Sequence, residues 1–292
     1  MSEPAVSVLC ETVCELGEGP SYEAETQTLY WFDIVASRLH SLHLASHETN
    51  VLELPFLASA IARVDDEKQL FVTEHGLHLR NRQSGEWEVL CAAEEDNPQT
   101  RSNDARVHPS GAIWFGTMGK NAEDEAGAIY WYRAGELRQL YPRITIPNSI
   151  CFSPDGAIAY FADTRSNRMY RVACNPDTGL PVDEPILTVE GNEMVGGIDG
   201  SVCDAEGTVW NARWGGARLD AWSPDGQFLR SVTIPARQAT CPVFIGDNAE
   251  RLAVTSAAAG LDEAARGADP EAGKLFLIDM PVNGRLDPAV VV

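Results

Sequence analysis

Apolar and polar positions alternate with a period of two along most of the chain, and short polar turns interrupt the alternation at regular intervals. Six segments share one form: SYEAETQTLYWFD from Ser21, ARVDDEKQLFVTE from Ala62, ARVHPSGAIWFGT from Ala105, CFSPDGAIAYFAD from Cys151, SVCDAEGTVWNAR from Ser201 and PVFIGDNAERLAVTS from Pro242. Each is a short strand, a polar turn and a second strand, and a further alternating strand such as SRLHSLHL, GAIYWYR or NRMYRVA follows. Asp-Gly, Ser-Gly and Glu-Gly in the turns supply the positive φ and short polar caps of tight hairpins. Successive units start 41, 43, 46, 50 and 41 residues apart. Helix signals are scarce; Leu261–Arg266 is too short to organise a domain.

A unit of this kind cannot bury its apolar faces alone, but stacking against a neighbour can. The pattern therefore predicts an all-β fold, a six-bladed β-propeller of four-stranded antiparallel blades around a central tunnel, with residues 1–292 as one domain. A two-sheet sandwich is the main rival, and six similar modules favour radial repetition. Residues 5–15, AVSVLCETVCE, have strand character ahead of the first unit and are expected to complete the last blade. Closure of the ring removes the open sheet edges that invite aggregation.

Composition narrows the partners. Against 43 acidic residues stand 22 lysines and arginines, a formal charge of −21 that repels nucleic acid and anionic membrane surfaces. MSEPAVSVLCET does not read as a signal peptide, and no apolar run is long enough to cross a bilayer. The seven cysteines are odd in number and contain no CxxC pair, so they are expected to be reduced, buried small hydrophobes in a cytoplasmic, monomeric protein. His40 with His43, and His75 with His78, sit three apart in alternating strands; surface positions are expected, not a metal cluster. No GxSxG elbow, HExxH, P-loop or dinucleotide fingerprint occurs. AEEDN and PVDEP read as solvated loops, and NAEDEAG as a loop at a cavity mouth.

In a propeller, the segments that enter the innermost strands converge on the tunnel. Those segments here are LGEGP at 16, RSND at 101, IPNS at 146 and GGIDG at 196, so one structural address carries Glu18, Asn103, Asn148 and Asp199. Each residue alone is a common turn former, apart from Glu18; their coincidence in four units is the signal. If the side chains converge, two carboxylates and an amide oxygen make a hard site of net charge −2, costly without a counterion. A divalent cation meets that cost, and the ligand types accept calcium, magnesium, manganese, zinc or ferrous iron.

LGEGP at 16, RSND at 101, FGTMG at 115, GAIY at 127, IPNSICFSPDG at 146 and IDGSVCDAEG at 198, in this order, resemble the gluconolactonase/regucalcin (senescence marker protein) family. The similarity is greatest to bacterial sugar lactonases such as those acting on xylonolactone. It implies a six-bladed propeller with one divalent metal, on whose ligand positions Glu18, Asn148 and Asp199 fall. Arg101 and Asn103 fall on the positions that hold the sugar lactone, and Asp199 on that of the proton-transferring carboxylate. The implied reaction is hydrolysis of a xylonolactone- or gluconolactone-type substrate to the open-chain acid. Asn121 departs from a glutamate that some members carry in the loop over the cavity, and Ala105 from a glycine. A metal-binding regulator without catalysis, or an esterase on the same scaffold, uses the same residues, and lactone turnover separates them.

Overall fold

The computed structural model describes residues 4–292. Its twenty-four described strands form six four-stranded antiparallel sheets. The inner strands of blades one to six are Gly17–Glu23, Ala58–Arg63, Thr100–Val107, Pro147–Phe152, Gly197–Cys203 and Ala239–Ile245. In blades one to five the remaining strands follow outward in chain order; in blade six the outermost strand is Ala5–Cys10, paired antiparallel to Leu275–Asp279. The first strand thus closes the ring by joining the last sheet. The protein is a six-bladed β-propeller.

The radial gradient in burial explains the sequence pattern. Pro147–Phe152 and Ala239–Ile245 are buried at every position, whereas the outer strand Glu48–Glu53 is almost wholly exposed. Inner strands pack on both faces and so read as continuous apolar or small-residue runs, while outer strands carry the charges. Six apolar clusters fill the seams between neighbouring blades, each with residues from two units. One cluster joins Trp114 and Trp131 of blade three to Phe152 and Phe161 of blade four. Each such side chain contributes roughly 1.5–3 kcal/mol on burial, which is how stacking stabilises units that could not fold alone.

The turns form as their residues dictate. In Ser153-Pro154-Asp155-Gly156, Gly156 has φ +71° and donates its N–H to Ser153 O at 2.9 Å. The helical segment is a six-residue helix, Glu263–Ala268, capped by the Asp262 carboxylate, which accepts from Ala265 N. Three expectations are corrected. His78 is buried, its ring centroid 4.8 Å from that of Phe56. His40 is buried, stacked on Trp31 with ring centroids 5.3 Å apart, because its strand position faces the seam between blades. Glu94 of AEEDN is no solvated side chain; it accepts from Thr117 Oγ1 at 2.6 Å and Tyr130 OH at 2.8 Å.

The tail after Asp279 crosses the face formed by the turns between inner and second strands. Its bonds run blade by blade: Gly284 N to Ala249 O, Ala205 N to Asn283 O, Arg285 to Phe152 O, Val291 N to Gly111 O and Val290 N to Arg63 O. Asp287 reaches inward to Arg106 with an N–O distance of 2.9 Å. A cavity of about 170 Å³ remains beside this pair, bordered by Tyr22, Val107, Leu286 and Pro288. Arg106 is 7% exposed and Asp287 30%, so removing the carboxylate strands a buried cation. Asp287→Ala is expected to lower stability by about 2–3 kcal/mol, read as a lower urea midpoint with an unchanged slope; an unchanged midpoint would show that the pair contributes nothing net.

Candidate active site

The expected residues lie inside the inner strands, not in the turns before them, and a repeated irregularity aims them. Every inner strand slips register against its neighbour near its start: between Glu18 and Ser21, Ala58 and Ala60, Ser102 and Ala105, Asn148 and Cys151, Ile198 and Ser201, and Ala239 and Pro242. A bulge frees residues from the ladder and redirects their side chains. Glu18, Asn148 and Asp199 stand at three of these bulges, in blades one, four and five, near the starts of their inner strands. Gly19, after Glu18, has φ +52°, and a Cβ there would come 1.8 Å from Ser59 O of the next blade. The flanking glycine therefore admits both the left-handed bulge and the close approach of blade two.

The donors around these residues are nearly all committed. Arg101 NH1 donates to Ser102 O at 2.8 Å and to Asn103 Oδ1 at 2.9 Å. Asn103 Nδ2 donates to Pro147 O at 2.9 Å and Asn148 Oδ1 at 3.0 Å. Asn148 Nδ2 donates to Thr164 Oγ1 at 2.8 Å, and that hydroxyl donates to Ile198 O at 2.6 Å. The Thr164 contact fixes the Asn148 amide with its oxygen turned away from blade five's backbone and toward Asn103. Among the described residues, protein partners engage only NH1 of Arg101, so its Nε and NH2 are available as donors.

The carboxylates are poorly solvated. Glu18 Oε2 accepts from the N–H of Gly19 at 2.9 Å, and among the described residues no side chain donates to the Asp199 carboxylate. Burial, then the charge of Asp104, push the Glu18 carboxyl from 4.5 up to about 8. Burial, then the charge of Glu18, push Asp199 well above the usual carboxylate range. Asp104, deeper along its strand, is raised to about 6, chiefly by burial, and accepts from Ile150 N at 2.7 Å. Arg101 is lowered to about 10 by burial, against the pull of Glu18. Two buried acids that repel each other, with almost no donors, and an amide oxygen match the all-oxygen set that hard divalent cations take. Among the described residues no three His, Cys, Asp or Glu side chains cluster; the third oxygen here belongs to Asn148.

Asp104 and Arg106 were not expected from the sequence; they follow the Asn103 address directly in RSNDAR, and nothing in the pattern separates them from an ordinary turn. NAEDEAG lies at the mouth from which the inner strands start. Lys120 reaches Glu74 of blade two at 2.6 Å, and Arg165 of blade four bonds Ala122 O at 3.0 Å and Asp124 at 3.4 Å. Asn121 is exposed and bonded within the loop to Glu123 at 2.9 Å. Among the described residues all seven cysteines are free, and no helix is long and apolar enough to cross a membrane.

Residues 16–258 match the model of the SMP-30/gluconolactonase/LRE-like region. The chain belongs to this family. It is 33% identical to an L-arabinolactonase of Azospirillum brasilense over 93% of this chain and 90% of that protein. A Rhizobium meliloti (strain 1021) protein with a provisional sugar lactone lactonase assignment is 48% identical, over 96% of this chain and 95% of that one. The crystal structure of a calcium-binding protein, regucalcin, from Agrobacterium tumefaciens str. C58 superposes with a TM-score of 0.97, at 46% identity over 99% of this chain and 98% of that one. The family match begins at Leu16 and so takes in all six bulged inner strands.

Proposed function

We propose that the protein hydrolyses a sugar lactone to the open-chain sugar acid, with aldonolactones of the xylonolactone or gluconolactone type as substrates and one divalent cation held by Glu18, Asn148 and Asp199. The observation that supports this reading is the pair of buried, mutually repelling, nearly donor-free carboxylates at the bulges of blades one and five, with the Arg101 guanidinium acting on Glu18 and keeping free N–H groups. The lactonase relatives give the reaction class. When bound, the cation supplies Lewis-acid polarisation of the lactone carbonyl and a lower pKa for water.

The protein's own groups do the rest. Asp199 is the proton acceptor: with the cation bound its buried carboxylate is ionised, and that carboxylate takes the proton of the attacking water. Glu18, near Arg101, is ionised once the cation is bound and holds its place. Arg101 offers Nε and NH2 to ring hydroxyls or the carbonyl oxygen, orienting the lactone for attack. Asn103, whose amide is already bonded on both ends, acts by holding Asn148 in the orientation that presents its oxygen. The acidic surface favours release of the anionic product.

Acid release followed in a pH-stat, for a panel of aldonolactones and with single divalent ions returned after chelation, tests the reading. Turnover of at least one lactone that depends on an added ion supports it; no turnover of any, with the ion bound, would favour a metal-binding regulator instead. Arg101→Lys is expected to cut kcat/KM by about 10- to 100-fold, mainly through KM, because a point-charge donor replaces the planar fork. An unchanged KM in that variant would remove Arg101 from substrate binding.

A further inference from the structure

The bulges that carry Asn148 and Asp199 belong to different blades, and a single buried amide ties them together. Asn211, on the second strand of blade five (Val209–Trp214), is wholly buried. Its Nδ2 stands among four oxygens: Asp199 O at 2.9 Å, Ser201 Oγ at 3.0 Å, Ser149 Oγ at 3.2 Å and Gly200 O at 3.3 Å. Ser149 Oγ donates to Asp199 O, and Ser201 Oγ donates to Ser149 Oγ at 2.9 Å. On its other end Asn211 Oδ1 accepts from Arg213 NH1 at 3.4 Å, a guanidinium that is itself 1% exposed.

This arrangement answers a need the bulges create. The slip between Ile198 and Ser201 takes the carbonyls of Asp199 and Gly200 out of the strand ladder, and a buried carbonyl without a donor is costly. In blade four, Ser149 follows Asn148 with φ +57°, a left-handed conformation that a serine adopts only when its surroundings hold it there. One NH2 group shared among these acceptors satisfies the blade-five bulge and anchors the side chain of the blade-four bulge. Asn148 and Asp199 both stand on backbone that this knot holds, one through the adjacent Ser149 and the other through its own carbonyl.

We propose that Asn211 is a positioning residue: through Ser149 and the Asp199 carbonyl it sets the separation between the Asn148 amide and the Asp199 carboxylate. The functional consequence rests on the cation and lactonase reading above; the structural consequence does not. Asn211 touches neither substrate nor reacting atoms, and it acts by fixing the geometry of groups that do.

Asn211→Asp keeps the shape and removes both N–H donors, placing an acceptor among four acceptors. Ser149→Ala is the milder companion, cutting the link between blades while leaving the amide in place. The expected result is a folded protein with near-normal far-ultraviolet circular dichroism, a 10- to 100-fold weaker affinity for Mn²⁺ in a calorimetric titration, and a fall in kcat larger than any change in KM. A crystal structure of either variant should show the Asp199 carboxylate displaced relative to Asn148. Unchanged positions of these side chains in a folded variant would overturn the proposal whatever its activity. If the wild type binds no divalent ion and opens no lactone, the functional reading fails while displacement of the Asp199 bulge still upholds the positioning role.

Discussion

Asp199→Asn is expected to leave a folded propeller that opens sugar lactones at least about 10³-fold more slowly, since the change removes the proton acceptor and one charged oxygen of the cation site together. The same substitution should make the metal-free protein more stable at pH 8. Asp199 is buried beside Glu18, and their mutual repulsion disfavours the ionised pair. An asparagine of the same shape abolishes that repulsion while keeping a polar group in the channel. The two effects have opposite signs, and a merely structural residue would not show them together: its loss would lower activity and stability alike. Initial rates in a pH-stat and thermal unfolding after chelation measure them. A variant with near-wild-type turnover would take Asp199 out of the chemistry. A variant with lost activity and a lower melting temperature would assign it to packing.

The contribution of the buried acid pair to the stability of the metal-free protein should fall as pH rises from about 4.5 to about 8. Glu18 is raised from 4.5 to about 8 in the folded state, so across this interval the folded protein holds a proton that the unfolded chain has released. Stability rises with pH only where the unfolded state binds more protons; here the folded state binds more, and the slope is negative. Below about 4.5 the carboxyl is neutral in both states and costs nothing; above about 8 the whole cost of burying its charge is present. Asp199, raised by burial and by Glu18, adds a decline of the same sign. A saturating divalent cation binds the ionised folded form and should restore stability, with the largest gain at the alkaline end. At roughly 2–4 °C per kcal/mol for a chain somewhat smaller than this one, the gap between chelated and loaded protein should reach several degrees at pH 8 and close near pH 5. Scanning calorimetry across that range measures it, and Glu18→Gln should flatten the slope. A metal-free melting temperature with the same pH slope in the wild type and in Glu18→Gln would contradict the buried, counterion-dependent acid pair.

The periodic pattern made much of this architecture legible. Turn residues, alternating strands and a spacing of 41 to 50 residues led to six stacked sheets because local turn chemistry and strand periodicity are properties of short segments. The same periodicity made Glu18, Asn103, Asn148 and Asp199 visible, since equivalent places in a repeat must come to equivalent places around an axis. Their neighbours were less legible. Asp104 follows Asn103 as any turn residue would, and Asn211 shows itself only as an amide inside the strand segment TVWNARW. His40 is expected on the surface because a strand pattern states which residues share a face but not what covers that face; the face it shares with its cross-strand neighbour Trp31 packs in the seam between blades.

By itself, then, the order of residues determined the repeat, the strands, the turns and the ring of polar groups at the heads of the inner strands. Tertiary structure alone decided that these groups sit at bulges, that Arg101 keeps free donors while Asn103 has spent its own, and that the tail runs over the far face with Asp287 on Arg106. The physical reason is range. Hairpins and alternation are set by contacts within a few residues, whereas desolvation, carboxylate repulsion and the Asn211 knot depend on atoms brought together from different blades, Asn211 with Ser149 across 62 residues and Glu18 with Asp199 across most of the chain.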